Sequence, residues 1–115
     1  MCGIVGVFTP DGTRAPKFDL ASMMTVMAHR GPDGKGMYVS GDQRYAVGFV
    51  RLAIIDLETG DQPLRDSRSG NIMVGNGEIY NYPEIRTDPR LKDFPFKTQG
   101  DMEAAFALAL KLGLD

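Results

Sequence analysis

The chain has 115 residues, 43% of them hydrophobic, and its 13 basic and 15 acidic side chains give a formal charge of −2. This length allows one domain at most, or part of a larger one, and the scattered charges argue against a nucleic-acid-binding surface. The start lacks the pattern of a signal peptide, and no apolar run approaches the ~20 residues that cross a bilayer. We therefore expect a cytoplasmic protein with no nucleic-acid or membrane partner.

Cysteine and histidine each occur once, as Cys2 and His29. One cysteine excludes an internal disulfide and fits a reducing compartment. One cysteine and one histidine cannot supply the ligands of an ordinary structural zinc site. We therefore predict no metal and no cofactor in this segment.

The first part of the chain predicts a strand followed by a helix. Residues 3–8 (GIVGVF) form an apolar, β-rich run that ends in a strong turn signal at residues 9–12. Apolar residues then recur at helical spacing behind Asp19, a candidate N-cap, and are expected to face a core: Leu20, Met23, Met24 and Met27. Residues 29–34 (HRGPDG) predict the end of this helix and a loop.

The remainder predicts more strands and a final helix. Apolar runs rich in β-branched residues occupy residues 37–39, 45–50, 52–57 and 71–74, with Arg51 interrupting the middle pair. Residues 98–101 (TQGD) resemble a capping box before a helix that ends at Gly113. One face of that helix is expected to carry Met102, Ala105, Phe106, Ala109 and Leu110. Strands followed by a helix indicate an α+β fold, expected to be the first part of a larger domain.

Cys2 stands directly behind the initiator methionine and before a predicted buried strand. If Met1 is removed, the thiol and a free α-amine belong to one residue, and such an amine can act as the general base for its own side chain. A free α-amine titrates near ~8, so much of it is basic at neutral pH. The alternative is an ordinary cysteine that fills space in a core, and position alone does not separate the two.

Three further segments place polar groups at the ends of apolar runs. Arg51 suits bidentate binding of a carboxylate, or else forms a structural ion pair. Asn76 and Gly77 combine a side-chain amide with a backbone N–H, the donors of an oxyanion hole, although Asn-Gly by itself is more typical of a turn. Asp101 suits an ammonium group, although its position by itself favours a role in capping the last helix.

Together these residues describe a site for an amino acid whose side chain carries the electrophile. Glutamine has this layout, because an amide lies at one end and a zwitterion at the other. The inference rests on residue types, since the sequence does not show that the four segments meet in space.

Ordered motifs along nearly the whole chain resemble those of class II glutamine amidotransferases, the N-terminal-cysteine branch of the N-terminal nucleophile hydrolases. The start MCGIVG is similar to the opening of that class, and HRGPDG is similar to the motif of its asparagine synthetase type. The segments RLAIID at 51–56, QPL at 62–64 and NGEIYNY at 76–82 follow in the family's order, and Gly100-Asp101 resembles its GSD-type segment. The sequence departs from the family pattern at residues 49–50, 53 and 99–100, which lie beside the candidate site residues and not on them.

The resemblance implies an αββα sandwich, of which residues 1–115 are the N-terminal portion, belonging to a glutaminase domain. It implies that Cys2 attacks the glutamine side-chain amide to form a γ-glutamyl thioester, with its own α-amine as base. Asn76 and the Gly77 N–H are implied to form the oxyanion hole. The implied substrate-binding residues are Arg51 for the α-carboxylate, Asp101 with Glu78 for the α-ammonium, and Leu52 and Ile54, whose backbone lines the pocket.

The resemblance also implies L-glutamine as substrate and ammonia transfer to a synthetase domain of the same polypeptide, which adenylates aspartate. ATP and magnesium are expected in that further domain, and a homodimer is a further expected arrangement. Two alternatives stay open: a related amidotransferase with another acceptor carboxylate, in a peptide or a sugar acid, and a non-catalytic glutamine-binding module. The intact Cys2, Asn76 and Asp101 argue against the second.

Overall fold

The computed structural model describes residues 1–11 and 17–113. It contains both strands and helices and therefore has an α+β architecture. The chain divides into two units. Unit 1 comprises Met1–Ala53 and Asp61–Asn76, and unit 2 comprises Ile54–Gly60 and Gly77–Asp115.

Unit 1 contains a three-stranded antiparallel sheet in the order β1-β3-β2, built from β1 (Gly3–Phe8), β2 (Gly34–Val39) and β3 (Tyr45–Arg51). Gly3 pairs with Val50, and Gly34 pairs with Arg51. This register brings the starts of β1 and β2 to the same end of the sheet as the end of β3. The residues just before β1 and just after β3 are therefore neighbours.

Helix α1 (Lys17–Val26) packs on one face of this sheet. The core between them consists of Val5, Leu20, Met24, Ala46 and Val50, all buried. The helix comes close to the sheet at Gly48, where an added Cβ would lie 2.5 Å from the Met24 sulfur. The buried stripe supplies the driving force for the packing, because the short predicted helix would not be stable by itself.

The predictions for β1 and α1 are confirmed with local corrections. β1 has the predicted bounds, whereas Gly12 of the predicted turn lies outside the described residues. α1 begins at Lys17, so Asp19 lies in its first turn instead of capping it. Leu20 and Met24 are buried, but Met23 is 39% exposed, so the prediction that it faces the core was wrong.

The predicted strands around Arg51 need a larger correction. β3 includes Arg51 and ends there, and residues 52–57 form no strand. The backbone turns at Asp56, whose φ of 53° lies in the left-handed region and whose carbonyl accepts a hydrogen bond from the Gly60 N–H. β2 begins at Gly34 instead of residue 37, and the predicted strand at 71–74 is the short β5 (Ile72–Met73), paired with an unpredicted β4 (Leu64–Arg65).

Unit 2 contains α2 (Tyr82–Arg86), a 3₁₀ turn at Pro89–Leu91 and α3 (Asp101–Leu112). Pro83 lies in the first turn of α2, where a proline needs no N–H partner. α3 ends at Leu112, and Gly113, which was predicted to mark the end of the helix, follows it with a φ of 82°. Its predicted apolar face was wrong in part. Phe106 is buried, but the other buried apolar residues are Ala104 and Ala107.

The capping box predicted at residues 98–101 does not form. Gly100 is the residue before α3 and has no side chain to cap it, and Asp101 is the first helical residue. The Thr98 hydroxyl instead donates to the Glu103 carboxylate at 2.8 Å. Glu103 lies five residues after Thr98, so the pair cannot adopt the reciprocal spacing of a capping box.

Candidate active site

The Cys2 sulfur lies against the backbone of Leu52, just past the end of β3. The Leu52 N–H donates to Sγ at 3.3 Å, and Sγ lies 3.5 Å from the Leu52 carbonyl oxygen, to which the thiol can donate. Cys2 is half-buried and directly precedes β1, so the strand holds its backbone. The contact places a hydrogen-bond donor at the sulfur, where a thiolate would carry its charge.

Leu52 is in turn held by Asp33 on both sides. The Asp33 N–H donates to the carbonyl of Arg51 at 3.0 Å, and its carboxylate accepts from the Ala53 N–H at 2.8 Å. The close approach of this loop to β3 requires Gly31, because a Cβ there would lie 2.4 Å from the Arg51 nitrogen. The loop at residues 29–34 thereby fixes the backbone that contacts the Cys2 sulfur.

The carbonyl oxygen of Cys2 accepts two side-chain hydrogen bonds. Arg30 Nε donates to it at 3.2 Å, and Asn76 Nδ2 donates to it at 3.1 Å. A primary amide has two N–H donors, so this contact uses one of the two that Asn76 carries. The Asn76 side chain therefore lies beside the residue that it was predicted to assist.

Gln62 holds the segment that carries Asn76. Its side-chain oxygen accepts from the Gly75 N–H at 2.6 Å, and its side-chain nitrogen donates to the Gly75 carbonyl at 3.2 Å. This paired contact imitates one rung of a β-ladder, and it fixes the backbone one residue before Asn76.

Arg51 is 7% exposed and forms an ion pair with Asp61, whose side chain is 80% exposed, at 3.2 Å. Both interpretations of Arg51 made from the sequence required a carboxylate partner. The structure supplies one from the protein itself, so the structural ion pair is present. Arg51 makes a further interaction as well.

The other predicted residues belong to unit 2, which comprises Ile54–Gly60 and Gly77–Asp115. Asp101 is 7% exposed, and its carboxylate accepts from the Ile79 N–H at 2.8 Å, directly after Glu78. Glu78 and Gly77 are exposed, and Ile54 is 60% exposed. Unit 2 thus brings Asp101 to the segment that carries Gly77 and Glu78.

Comparison with known proteins identifies the family. The sequence profile described as a glutamine amidotransferase domain matches residues 1–115. The chain belongs to this family. The motifs at 29–34, 51–56 and 76–82 therefore lie in a glutamine amidotransferase domain.

Curated relatives of this glutamine amidotransferase domain include glutamine-hydrolysing asparagine synthetases. Asparagine synthetase 1 of Bacillus subtilis is 42% identical over 110 residues, which are 93% of this chain and 17% of that protein. Asparagine synthetase 1 of Arabidopsis thaliana is 39% identical over 116 residues, covering 100% of this chain and 19% of that protein. A protein of Gibberella zeae named amidase chry2 is 35% identical over 125 residues, covering 99% of this chain and 18% of that protein. The chain thus spans less than a fifth of the length of these relatives.

Sequence reasoning missed four residues that hold the site in unit 1. Arg30, Asp33, Asp61 and Gln62 position Cys2, Leu52, Arg51 and Gly75. Three of them belong to the motifs at 29–34 and 62–64, so motif membership was the available signal. Spacing could not have shown the contacts, because the partners lie up to 28 residues apart in sequence.

Two properties of the described ranges bear on cofactors and membranes. Within residues 1–11 and 17–113, no three His, Cys, Asp or Glu side chains cluster as metal ligands. No helix in those ranges is both long and apolar enough to cross a membrane. The absence of a cofactor from this segment stays a prediction.

Proposed function

We propose that this chain forms the N-terminal portion of a glutaminase domain, which releases ammonia from glutamine for the ATP-dependent amidation of aspartate. The single observation that carries the proposal is the environment of Cys2, the only cysteine of the chain. Its sulfur accepts a hydrogen bond from the Leu52 N–H, and its carbonyl oxygen accepts one from the Asn76 side-chain amide. Family membership and the asparagine synthetases among its relatives support the same reaction.

In the proposed reaction, the Cys2 sulfur attacks the carbonyl carbon of the glutamine side chain. The α-amine freed by removal of Met1 takes the thiol proton, directly or through a water molecule. Asn76 and the Gly77 N–H stabilise the negative oxygen that forms. Collapse of this intermediate breaks the C–N bond, and the proton passes to the leaving nitrogen to give ammonia. Water then hydrolyses the γ-glutamyl thioester, which releases glutamate and restores the thiol.

The roles proposed for glutamine recognition follow the charges. Arg51 binds the α-carboxylate with a buried guanidinium, whose flat arrangement of donors allows contacts besides the one to Asp61. Asp101 and Glu78 bind the α-ammonium, and the backbone of Leu52 and Ile54 lines the pocket. The proposed fold is the N-terminal part of an N-terminal nucleophile hydrolase αββα sandwich, and the packing of α1 on one face of the sheet is consistent with it.

The acceptor of the ammonia is the part of the proposal that has a competitor. An asparagine synthetase would use aspartate, with ATP and magnesium bound by a further domain of the same polypeptide. The alternative is a related amidotransferase whose acceptor carboxylate belongs to a peptide or a sugar acid. A cytoplasmic location and a homodimer complete the proposal.

A glutaminase assay on the full-length protein tests the core of the proposal. The wild type should release ammonia from glutamine, and Cys2→Ala should release none above background. A glutamine-like electrophile should alkylate the wild type at Cys2 alone, and glutamine should protect it. Ammonia release by Cys2→Ala near the wild-type rate would eliminate the thioester mechanism. Binding of glutamine by a wild type that releases no ammonia would indicate a binding module instead.

A further inference from the structure

The backbone just before Asp101 is held almost entirely by side chains of unit 2. All four N–H groups of residues 97–100 donate to side-chain oxygens. The Lys97 and Thr98 N–H groups donate to the Glu103 carboxylate at 2.8 and 2.7 Å, that of Gln99 donates to Asp56 at 2.8 Å, and that of Gly100 donates to the Thr98 hydroxyl at 3.2 Å. Such complete side-chain capture is uncommon, because backbone groups bond mostly to one another.

Arg86 completes this arrangement from the carbonyl side. Its guanidinium donates to the Thr98 carbonyl at 2.7 Å and to the Gly100 carbonyl at 3.3 Å. It also stacks over the Phe96 ring, 4.1 Å from the centroid, and lies 3.9 Å from the Glu103 carboxylate. The guanidinium therefore faces backbone dipoles and a negative charge at once.

Glu103 is the centre of the network. It is only 5% exposed, and its two oxygens accept from two N–H groups and the Thr98 hydroxyl. A buried carboxylate is costly unless such donors compensate for the lost water. A neutral side chain could fill the same volume at lower cost, so the charge at this position calls for a reason beyond packing.

The segment that Glu103 holds leads directly into Asp101. The Asp101 carboxylate is fixed on its other side by the Ile79 N–H at 2.8 Å. Because the backbone around this carboxylate is already ordered, binding of an ammonium group costs less conformational entropy. The lower cost raises the affinity.

We infer that Glu103, acting through the backbone of residues 97–100, is a positioning residue that holds Asp101 for the α-ammonium group of glutamine. Arg86 supports the same segment from its carbonyl side. The inference rests on the proposed function, because it requires glutamine as the ligand of Asp101.

The test measures glutamine hydrolysis by full-length Glu103→Gln. The substitution replaces one carboxylate oxygen with an NH₂ group, so the Lys97 or the Thr98 N–H faces a donor instead of an acceptor. The KM for glutamine should rise roughly tenfold, the scale of a weakened hydrogen bond to a charged group. The kcat should stay within about twofold, because the ammonium contact is the same in the ground state and the transition state. Glutaramate, which is glutamine without its α-amino group, should be hydrolysed by the variant and by the wild type with the same kcat and KM.

Two further variants control the experiment. Glu84→Gln makes the same change at an exposed glutamate of unit 2 and should leave kcat and KM for both substrates unchanged. Thr98→Val removes a hydroxyl that bonds to Glu103 and Gly100, so it should raise the glutamine KM in the same direction, whereas Thr98→Ser should restore it. These milder changes keep the test informative if Glu103→Gln does not fold.

The possible outcomes separate the inference from the proposed function. Equal losses on glutamine and glutaramate would show that Glu103 only stabilises the fold, and an unchanged glutamine KM in both Glu103→Gln and Thr98→Val would also overturn the inference. A wild type that hydrolyses no glutamine would instead refute the proposed function itself.

Discussion

At the scale of single residues, the surroundings of Cys2 are built from contacts that are remote in sequence. The thiol bonds to Leu52, 50 residues away, and the Cys2 carbonyl bonds to Asn76, 74 residues away. Asn76 is held indirectly, through the contact of Gln62 with Gly75. The position of the proposed oxyanion donor should therefore depend on Gln62, which contacts Gly75 and not Asn76 itself.

Gln62→Glu tests this dependence with a change that preserves shape. The substitution replaces the amide N–H₂ with an oxygen that faces the Gly75 carbonyl at about the same distance, so the two oxygens repel and Gly75 shifts. We expect kcat for glutamine to fall by roughly tenfold, less than the ~100- to 1000-fold typical of a lost oxyanion donor, with a smaller change in KM. Steady-state kinetics measure it, and Gln43→Glu, at an exposed position, is the matched control.

Met1 determines whether Cys2 has its proposed base. With Met1 attached, the Cys2 nitrogen is part of a peptide bond and is not basic. We expect protein that retains Met1 to be inactive as a glutaminase and to gain activity when Met1 is removed. Mass spectrometry of the N-terminus, paired with the assay, measures both. Full activity in a sample that retains Met1 would transfer the role of base to another group.

At the scale of elements, the loop at residues 29–34 and strand β3 act as one assembly. Pro32 forms a bridge with Arg51, and Asp33 bonds on both sides of Leu52. This assembly is possible only because Gly31 lets the two backbones approach closely. Gly31 of the motif at 29–34 is therefore required by packing, whatever chemistry the neighbouring residues perform.

Gly31→Ala should destabilise this part of the fold. Its Cβ would lie 2.4 Å from the Arg51 nitrogen and from the Val50 carbonyl carbon, and backbone cannot move aside as a flexible side chain can. We expect a loss of about 1–3 kcal/mol in the free energy of unfolding, the usual cost of overpacking. Denaturant titration measures it. Gly41→Ala, where the added Cβ meets nothing within 4 Å, should change the same quantity by less than about 0.5 kcal/mol.

The 3₁₀ turn at Pro89–Leu91 offers a pH-dependent test. Hydrogen bonds from the Arg90 side chain, and then from its backbone N–H, lower the pKa of Asp88 from 3.8 to about 2. A lowered pKa means that the folded state favours the carboxylate. The stabilisation is therefore fully present above pH 3.8 and is lost as the pH falls through about 2.

Asp88→Asn should remove this contribution. The difference in the free energy of unfolding between the wild type and the variant should be constant above pH 4 or so and should shrink as the pH approaches about 2. Denaturant midpoints recorded across this range measure it. Asp93→Asn, at an exposed aspartate of the same unit, corrects for the loss of one negative charge. A difference that does not change with pH would contradict the contact between Asp88 and Arg90.

At the scale of the whole molecule, the chain corresponds to a small part of its relatives. It covers 17% of the Bacillus subtilis asparagine synthetase and 19% of that from Arabidopsis thaliana. Under the proposed function, ammonia is made at one site and consumed at another. The two half-reactions should then be separable by a change at Cys2.

Cys2→Ala in the full-length protein should abolish asparagine formation from glutamine but leave formation from added ammonia close to the wild-type rate. The reason is that ammonia bypasses the thioester and enters the second half-reaction directly. Product analysis with aspartate, Mg-ATP and either nitrogen source measures the split. If the wild type forms no asparagine from ammonia, the acceptor is not aspartate, and the alternative acceptors become the candidates.

The family, the α+β class, the bounds of β1 and the end of α3 just before Gly113 could all be predicted from the sequence. These features follow from local information, namely the order of the motifs, the spacing of apolar residues along each element and the backbone conformations that glycine allows. The sequence also nominated Cys2, Arg51, Asn76 and Asp101, because their chemistry can be read from residue type.

Which groups contact one another depends on the tertiary structure. The pairing of Arg51 with Asp61, the contact of Cys2 with Leu52 and the capture of residues 97–100 by Asp56, Arg86 and Glu103 depend on how distant segments pack. The same packing ended β3 at Arg51 and left Met23 exposed, against expectation. The physical reason is that a local sequence pattern indicates on which face of a helix or strand a residue lies. The residue's contact partner depends instead on which distant segment of the chain packs against that face.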